Sequence, residues 1–287
     1  MFVYSLKSFV TSGVSSRLKR CLSRGFLTSQ QTQCFGTACT MEYEDFKDKR
    51  ALVTGAGKGI GRAIAVKLAN LGAQVYAISR TQTDLDSLKQ QVPSIDTRLL
   101  DISDWDITRK AVEDIGPIDF LVNNAAVIKR TPFLEVTKEE LDDQHTINFR
   151  AAFNITQVVT RGMVSRGTGG VIVNVGSISG IRTTNNRSCY GTSKAALNML
   201  TMSLAHELGP KKIRANSVNP TVVWTNMGEG GWKDPKLKAA AMAKIPIGRF
   251  ALEDDVVNAT IYLLSEKSSM INGVILPIDG GMINSYL

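Results

Sequence analysis

The sequence predicts an α/β protein built on a doubly wound, seven-stranded parallel sheet in the order 3-2-1-4-5-6-7. Three observations predict it. Short apolar runs alternate with stretches of helical periodicity through most of the 287 residues. A glycine-rich turn, Thr54-Gly55-Ala56-Gly57-Lys58-Gly59-Ile60-Gly61, follows the first of those runs and opens the first helix. The strands are short and each is followed by a helix, which argues a parallel sheet covered on both faces.

Residues 51–53 read as the first strand and residues 61–71 as the first helix, with Ile64, Leu68 and Leu71 at helical spacing. Gly72 is its stop. Strand two spans 74–79 and a helix 84–92. Strand three spans 96–100. Residues 105–115 form a helix that ends at Gly116-Pro117, and 118–122 form strand four. Two helical stretches then fill 138–165, and strand five spans 171–175. Residues 193–208 read as a helix with Leu197, Leu200, Leu204 and Leu208. Strand six spans 213–218, a helix 254–264 and strand seven 273–278. Residues 222–246, with Gly228, Gly230, Gly231 and Pro235, carry few strand features and form a candidate substrate lid.

Residues 1–41 differ from the rest. They hold Lys7, Arg17, Lys19, Arg20 and Arg24 and no acid, which accounts for +5 of the formal net charge of +8. The segment reads as a mitochondrial transit peptide. A disordered extension, or untranslated sequence before an internal start at Met41, fits the same composition. The location is mitochondrial on the first reading and cytoplasmic otherwise. Residues 42–287 form a single domain whose remaining charge, +3, gives no case for nucleic acid. Of four cysteines only Cys189 lies in that domain, so no disulfide framework is available to it. No apolar run is long enough for a membrane span.

The glycine turn has the chemistry of a dinucleotide site. Glycines let a pyrophosphate approach the backbone, and a helix N-terminus offers free N–H groups and partial positive charge. A plain structural turn uses glycines too, but this one sits in the first strand–turn–helix unit. Gly55, Gly57, Lys58, Gly59, Ile60 and Gly61 are therefore candidate cofactor residues. After strand two stand Ser79-Arg80-Thr81, where an acid would hold the ribose hydroxyls of NAD. Arg80 and Lys58 instead suit a 2′-phosphate, so NADP(H) is expected. Asp101-Ile102 follows strand three, where Asp101 suits the adenine amino group and a helix-cap role for a nearby acid fits almost as well. Asn124 and Ala125 follow strand four, where short side chains let the ribose end pass close to the backbone.

Tyr190 and Lys194 are four apart, which places them on one helix face. A phenol with a pKa of about 10 is a weak base, and a nearby ammonium lowers that value. Such a pair can give a proton to a carbonyl oxygen as it is reduced, or take one back. Ser177, after strand five, can hold that oxygen, and Asn148 can organise a water leading from Lys194 to solvent.

Thr54-Gly55-x-x-x-Gly59-Ile60-Gly61, Asn123-Asn124-Ala125, Asn148, Ser177 and Tyr190-x-x-x-Lys194 occur in this order, with 13 residues from Ser177 to Tyr190. The chain resembles the classical short-chain dehydrogenases/reductases from about residue 48 to its end. The resemblance implies a Ser-Tyr-Lys-Asn tetrad and hydride transfer from a nicotinamide to a carbonyl carbon. It is greatest to the branch that reduces L-xylulose and small dicarbonyls with NADPH as homotetramers, on stretches such as Ser79-Arg80-Thr81-Gln82 and Asn219-Pro220-Thr221-Val222-Val223. It also implies cofactor contacts at Val223 and Thr225. Substrate contacts are expected at Ser177, Tyr190, Asn186 and Trp232. Asn186 also reads as an exposed turn residue and Trp232 as packing of the lid.

Two features depart from that branch. Gly176 stands where a serine is usual, and residues 178–189 differ. The leader keeps open a mitochondrial 3-oxoacyl-carrier-protein reductase, for which Lys129 and Arg130 would form a basic entry surface. A nucleotide-binding interaction protein without turnover is a further alternative.

Overall fold

The computed structural model describes residues 44–183, 185–224 and 234–285. β1 (Arg50–Thr54), β2 (Gln74–Ser79), β3 (Asp96–Leu99), β4 (Phe120–Asn123), β5 (Gly170–Val175), β6 (Ile213–Pro220) and β7 (Ile275–Ile278) form one sheet in the order 3-2-1-4-5-6-7. Every neighbouring pair is parallel.

Helices cover both faces. α1 (Gly59–Asn70) buries Ile64, Ala65 and Leu68, the residues whose spacing predicts it. α2 (Gln82–Gln91) buries Leu85 and Leu88. α3 (Trp105–Ile115) starts where Asp104 accepts from the Ile107 N–H at 2.9 Å. α4 (Lys138–His145) starts at Thr137, whose side chain caps Glu140 N. α5 (Ala151–Arg166), α6 (Ser188–Leu208), α7 (Pro235–Met242) and α8 (Glu253–Leu264) complete the set.

Side chains alternate across the strands, which separates two cores. Val53, Val122, Val173 and Val218 pack on one face with Ile64 of α1 and Val256 of α8. Leu52, Leu121, Ile172 and Ala215 pack on the other with Ile155 of α5. The central strands β1, β4 and β5 are buried on both faces, which is why they read as apolar runs, whereas the edge strand β3 is partly exposed. β1 runs between β2 and β4, so the chain reverses its direction of winding there. The crevice over the carboxyl ends of β1 and β4 is where such sheets bind ligands.

Several boundaries differ from the sequence reading. β4 begins at Phe120 rather than 118, and β7 at Ile275 rather than 273. The helical stretch 138–165 is divided by a π-helical turn, Thr146–Arg150. α6 begins at Ser188, five residues before the expected start at 193. Its first turn is Ser188-Cys189-Tyr190-Gly191, which has no apolar periodicity to reveal it. Within 222–246, Val223–Trp224 pairs in parallel with Ala251–Leu252, and α7 follows. Trp224 stacks on Phe250 at 5.9 Å, which pins this segment to the body. Residues 225–233, with Thr225 and Trp232, lie outside the described residues. So does the leader. No helix among the described residues is long and apolar enough to cross a membrane.

Candidate active site

The glycine turn is held from two sides. Thr54 Oγ1 accepts from the N–H groups of Asn124 at 3.0 Å and Ala125 at 3.1 Å. Asn124 Nδ2 donates back to the carbonyls of Thr54 and Gly55 at 3.0 and 3.1 Å. These bonds lock the end of β1 to the end of β4. Gly55 has φ +64°, and a Cβ there would stand 2.7 Å from Ala125 Cα. At Gly61 a Cβ would stand 2.3 Å from Asn124 Nδ2. Gly61 thus lets α1 pack against the asparagine that clamps the turn.

A cavity of about 1200 Å³ opens above this clamp. Gly55, Gly57, Lys58, Gly59 and Ile60 line it from the turn, Arg80 and Thr81 from the end of β2, and Asp101 and Ile102 from the end of β3. Asn124 and Ala125 line it after β4, Ser177 after β5, Val223 after β6, and Tyr190 and Lys194 from α6. The structure therefore brings the described cofactor residues together, with Gly61 one layer behind. Lys58 and Arg80 are exposed, and no ion pair among the described residues includes either. Their cationic ends are open to a phosphate. Asp101 Oδ1 accepts from Ser103 N at 3.0 Å, and this bond outweighs the opposing effect of burial to hold its carboxyl below the usual range, with smaller help from the Ser103 side chain and last from the charge of Arg80.

α6 packs on β5 and β6 and carries Tyr190 and Lys194 to the end of β5. Lys194 is buried, and its Nζ donates to the Val175 carbonyl at 2.7 Å. Burial pulls its pKa down to about 8, because the low-dielectric interior penalises the ammonium. Nζ stands 5.8 Å from the centre of the Tyr190 ring. The expectation that this neighbour leaves the phenol acidified is not met. Burial dominates and pushes the Tyr190 phenol up, while a hydrogen bond with Ser177 and the charge of Arg187 pull it down by less.

Asn148 lies on the π-helical turn between α4 and α5 and is buried. Its Oδ1 accepts from Val127 N at 2.8 Å, and its Nδ2 donates to the Val127 carbonyl at 2.9 Å and to Ser193 Oγ at 3.0 Å. Both amide hydrogens are used, so Asn148 ties the chain after β4 to α6. It does not line the cavity. A π turn rotates side chains relative to an uninterrupted helix, and such turns recur at functional sites.

Ser177 Oγ accepts from Ser179 N at 3.1 Å, and Ser177 N donates to Asn219 Oδ1 at 3.0 Å. Gly176 explains how Asn219 fits: a Cβ at 176 would stand 2.2 Å from that oxygen. Asn219 and Asn174 are support residues that the sequence reading did not single out for this role. Asn174 Oδ1 accepts from Asn123 Nδ2 and its own Nδ2 donates to Thr201, both at 2.9 Å. Buried asparagines at the carboxyl ends of three adjacent strands were the available signal. Asn186, expected on the substrate side, lines a separate small hollow with Lys129 and Glu140 instead of the main cavity. It is an exposed turn residue at φ +59°. That conformation suits asparagine in a turn.

A family model described as enoyl-(acyl carrier protein) reductase matches residues 55–283. L-xylulose reductase of Bos taurus is 51% identical over 235 residues, 82% of this chain and 96% of that one. The chain belongs to the short-chain dehydrogenase/reductase family. As an oxidoreductase of that family it is also 46% identical over 241 residues to an NADPH carbonyl reductase of Sus scrofa, with 84% and 99% of the two chains covered. A gluconate 5-dehydrogenase of Burkholderia cenocepacia, solved with NADP and tartrate, superposes with a TM-score of 0.79. It is 28% identical and covers 85% of this chain and 99% of its own. The family model is named for acyl chemistry, whereas the two relatives are named for reduction of a ketose and of carbonyls.

Proposed function

We propose that this short-chain dehydrogenase/reductase reduces small carbonyl compounds with NADPH, L-xylulose to xylitol and small α-dicarbonyls among them. The observation that carries the reading is the joining of one cavity by the two unpaired cations Lys58 and Arg80, at one end, and Ser177, Tyr190 and Lys194, at the other. The cofactor fits what is present. A glycine cradle that a Cβ would fill lies beside the helix N-terminus of α1, and cations flank the turn. Gly55, Gly57, Gly59 and Ile60 would hold the pyrophosphate, Lys58 and Arg80 the 2′-phosphate, and Asp101, Ile102, Asn124, Ala125 and Val223 the remainder. NADP(H), when bound, supplies or accepts the hydride at the carbonyl carbon.

The chain's own groups handle the oxygen. Ser177 holds the carbonyl oxygen by a hydrogen bond. Tyr190 donates its proton to that oxygen as negative charge develops, and its raised pKa keeps it protonated for that task. Lys194 supports the phenolate left behind. Its ammonium opposes that charge, and its bond to Val175 holds it in place. Asn148 acts through Val127 and Ser193, fixing the helix turn that carries both residues.

The domain is residues 42–287, and the basic, acid-free composition of residues 1–41 supports reading them as a leader that directs it to mitochondria. The protein works as a homotetramer. Met199 and Met202 of α6 and Phe153 of α5 are exposed large apolar residues that suit a subunit interface. The acyl-carrier alternative has less support, because Lys129 is paired with Asp143 at 3.3 Å and so offers less charge to an acidic partner. NADPH oxidation with L-xylulose, diacetyl and acetoacetyl thioester, each repeated with NADH, tests the reading. It expects turnover of the first two with NADPH. Turnover of the thioester alone would move the protein to acyl chemistry.

A further inference from the structure

Arg187 is the residue immediately before α6, three positions ahead of Tyr190. It is half-buried, and its carbonyl accepts from Gly191 N at 2.7 Å, which fixes its backbone to the first turn of the helix. Its Nη1 donates to Ser179 Oγ at 3.3 Å, and Ser179 N in turn donates to Ser177 Oγ at 3.1 Å. Two hydrogen bonds therefore connect the guanidinium to the serine on the substrate side. A second guanidinium, Arg130 in the chain after β4, lies close enough for the two charges to oppose each other. No ion pair among the described residues includes Arg130 or Arg187.

A half-buried guanidinium facing a like charge, with no carboxylate paired to it among the described residues, carries an uncompensated cost. An anion would relieve both effects. The guanidinium presents a planar fork of N–H donors that matches a carboxylate, and its bond to Ser179 uses only part of that fork. Lys58 and Arg80 line the cavity at the ends of β1 and β2, so they serve a different anion. Arg187 and Arg130 stand outside that lining, where Arg187 reaches the Ser177 and Tyr190 end through Ser179 and through its charge on Tyr190.

We propose that Arg187, assisted by Arg130, is a specificity residue that receives the carboxylate of a polyhydroxy keto acid at the Tyr190 end of the cavity. The protein then reduces such acids in preference to neutral ketoses of similar size. This rests on the carbonyl-reductase reading above and narrows its substrate class.

The experiment compares full-length wild type with Arg187→Gln and Arg187→Lys on 5-keto-D-gluconate and L-xylulose, using NADPH. The readout is the ratio of kcat/KM for the acid to that for the ketose. A change common to both substrates, such as an effect of the Arg187 charge on Tyr190, cancels in this ratio. We expect the ratio to fall about tenfold or more in Arg187→Gln, the worth of one charge-assisted hydrogen bond, mainly through KM of the acid. Arg187→Lys is expected to keep part of it. An unchanged ratio, or a wild type that does not reduce the acid, overturns the proposal. Calorimetric titration of D-gluconate into protein saturated with NADP⁺ needs no turnover. Binding that is lost in Arg187→Gln supports the anion site, and equal or absent binding in both proteins overturns it. Failure to reduce L-xylulose alone counts against the reading above and leaves this one standing.

Discussion

Asn148 Nδ2 donates to Ser193 Oγ at 3.0 Å, and Ser193 Oγ donates to the Tyr190 carbonyl at 2.8 Å. One buried amide thus reaches the backbone of the residue whose phenol faces the cavity. Its other two bonds take both backbone groups of Val127. Asn148→Ala would leave several buried polar groups without partners, at about 1–3 kcal/mol each. We predict a loss of about 3 kcal/mol in urea unfolding, together with a fall in kcat. A variant as stable as wild type would show that water replaces the amide without cost.

Gly61→Ala places a methyl group 2.3 Å from Asn124 Nδ2 and 2.4 Å from the Gly55 carbonyl. Both are parts of the clamp between β1 and β4. We predict a loss of about 1–3 kcal/mol, as is usual for overpacking, and weaker NADPH binding by fluorescence titration. Unchanged affinity would mean that the glycine turn does not shape the cofactor site.

Arg80→Ala removes one of two unpaired cations from the cofactor end of the cavity. The predicted effect is a fall of about tenfold to a hundredfold in the NADPH/NADH ratio of kcat/KM, from the loss of a charge-assisted hydrogen bond to phosphate. NADH turnover should change little, because NADH carries no 2′-phosphate. Equal loss with both cofactors would assign Arg80 a structural role.

The Tyr190 phenol is held above its ordinary value and Lys194 is lowered to about 8. Reduction needs the protonated phenol, so its kcat/KM should be level near neutrality and fall as pH rises into the alkaline range. Oxidation of the alcohol needs the phenolate, so it should rise over the same range. Lys194 also has a stability consequence. Its folded value lies below its unfolded value, so the unfolded chain binds more protons between about pH 8 and the ordinary lysine range near 10.5. Its contribution to stability should therefore increase as pH rises through that window. Comparing wild type with Lys194→Met in urea at pH 7.5 and pH 10 checks the sign.

The fold was legible because the central strands β1, β4 and β5 are covered on both faces, so Leu52, Val53, Leu121, Val122, Ile172 and Val173 read as apolar runs. The cofactor end was legible for a local reason: the glycine turn and Arg80 each follow a strand directly. The first turn of α6 was not, because Tyr190 faces the cavity and Gly191 makes room for the Ser179 carbonyl, so neither adds to an apolar pattern. The π turn carrying Asn148 was hidden too, since its residues keep a helical pattern on either side. Arg187 left no signal beyond its distance of three from Tyr190. Its unpaired state depends on where the chain after β4 and the segment before α6 come together.

The central claim is that Tyr190 supplies the proton in an NADPH-dependent carbonyl reduction. Tyr190→Phe removes one hydroxyl and keeps the ring. Stopped-flow measurement of L-xylulose reduction by wild type and this variant, each saturated with NADPH, tests it most directly. The account predicts that kcat falls by about a hundredfold or more, the range of general acid catalysis, while NADPH affinity is retained. A Tyr190→Phe protein that reduces L-xylulose at the wild-type rate would contradict it.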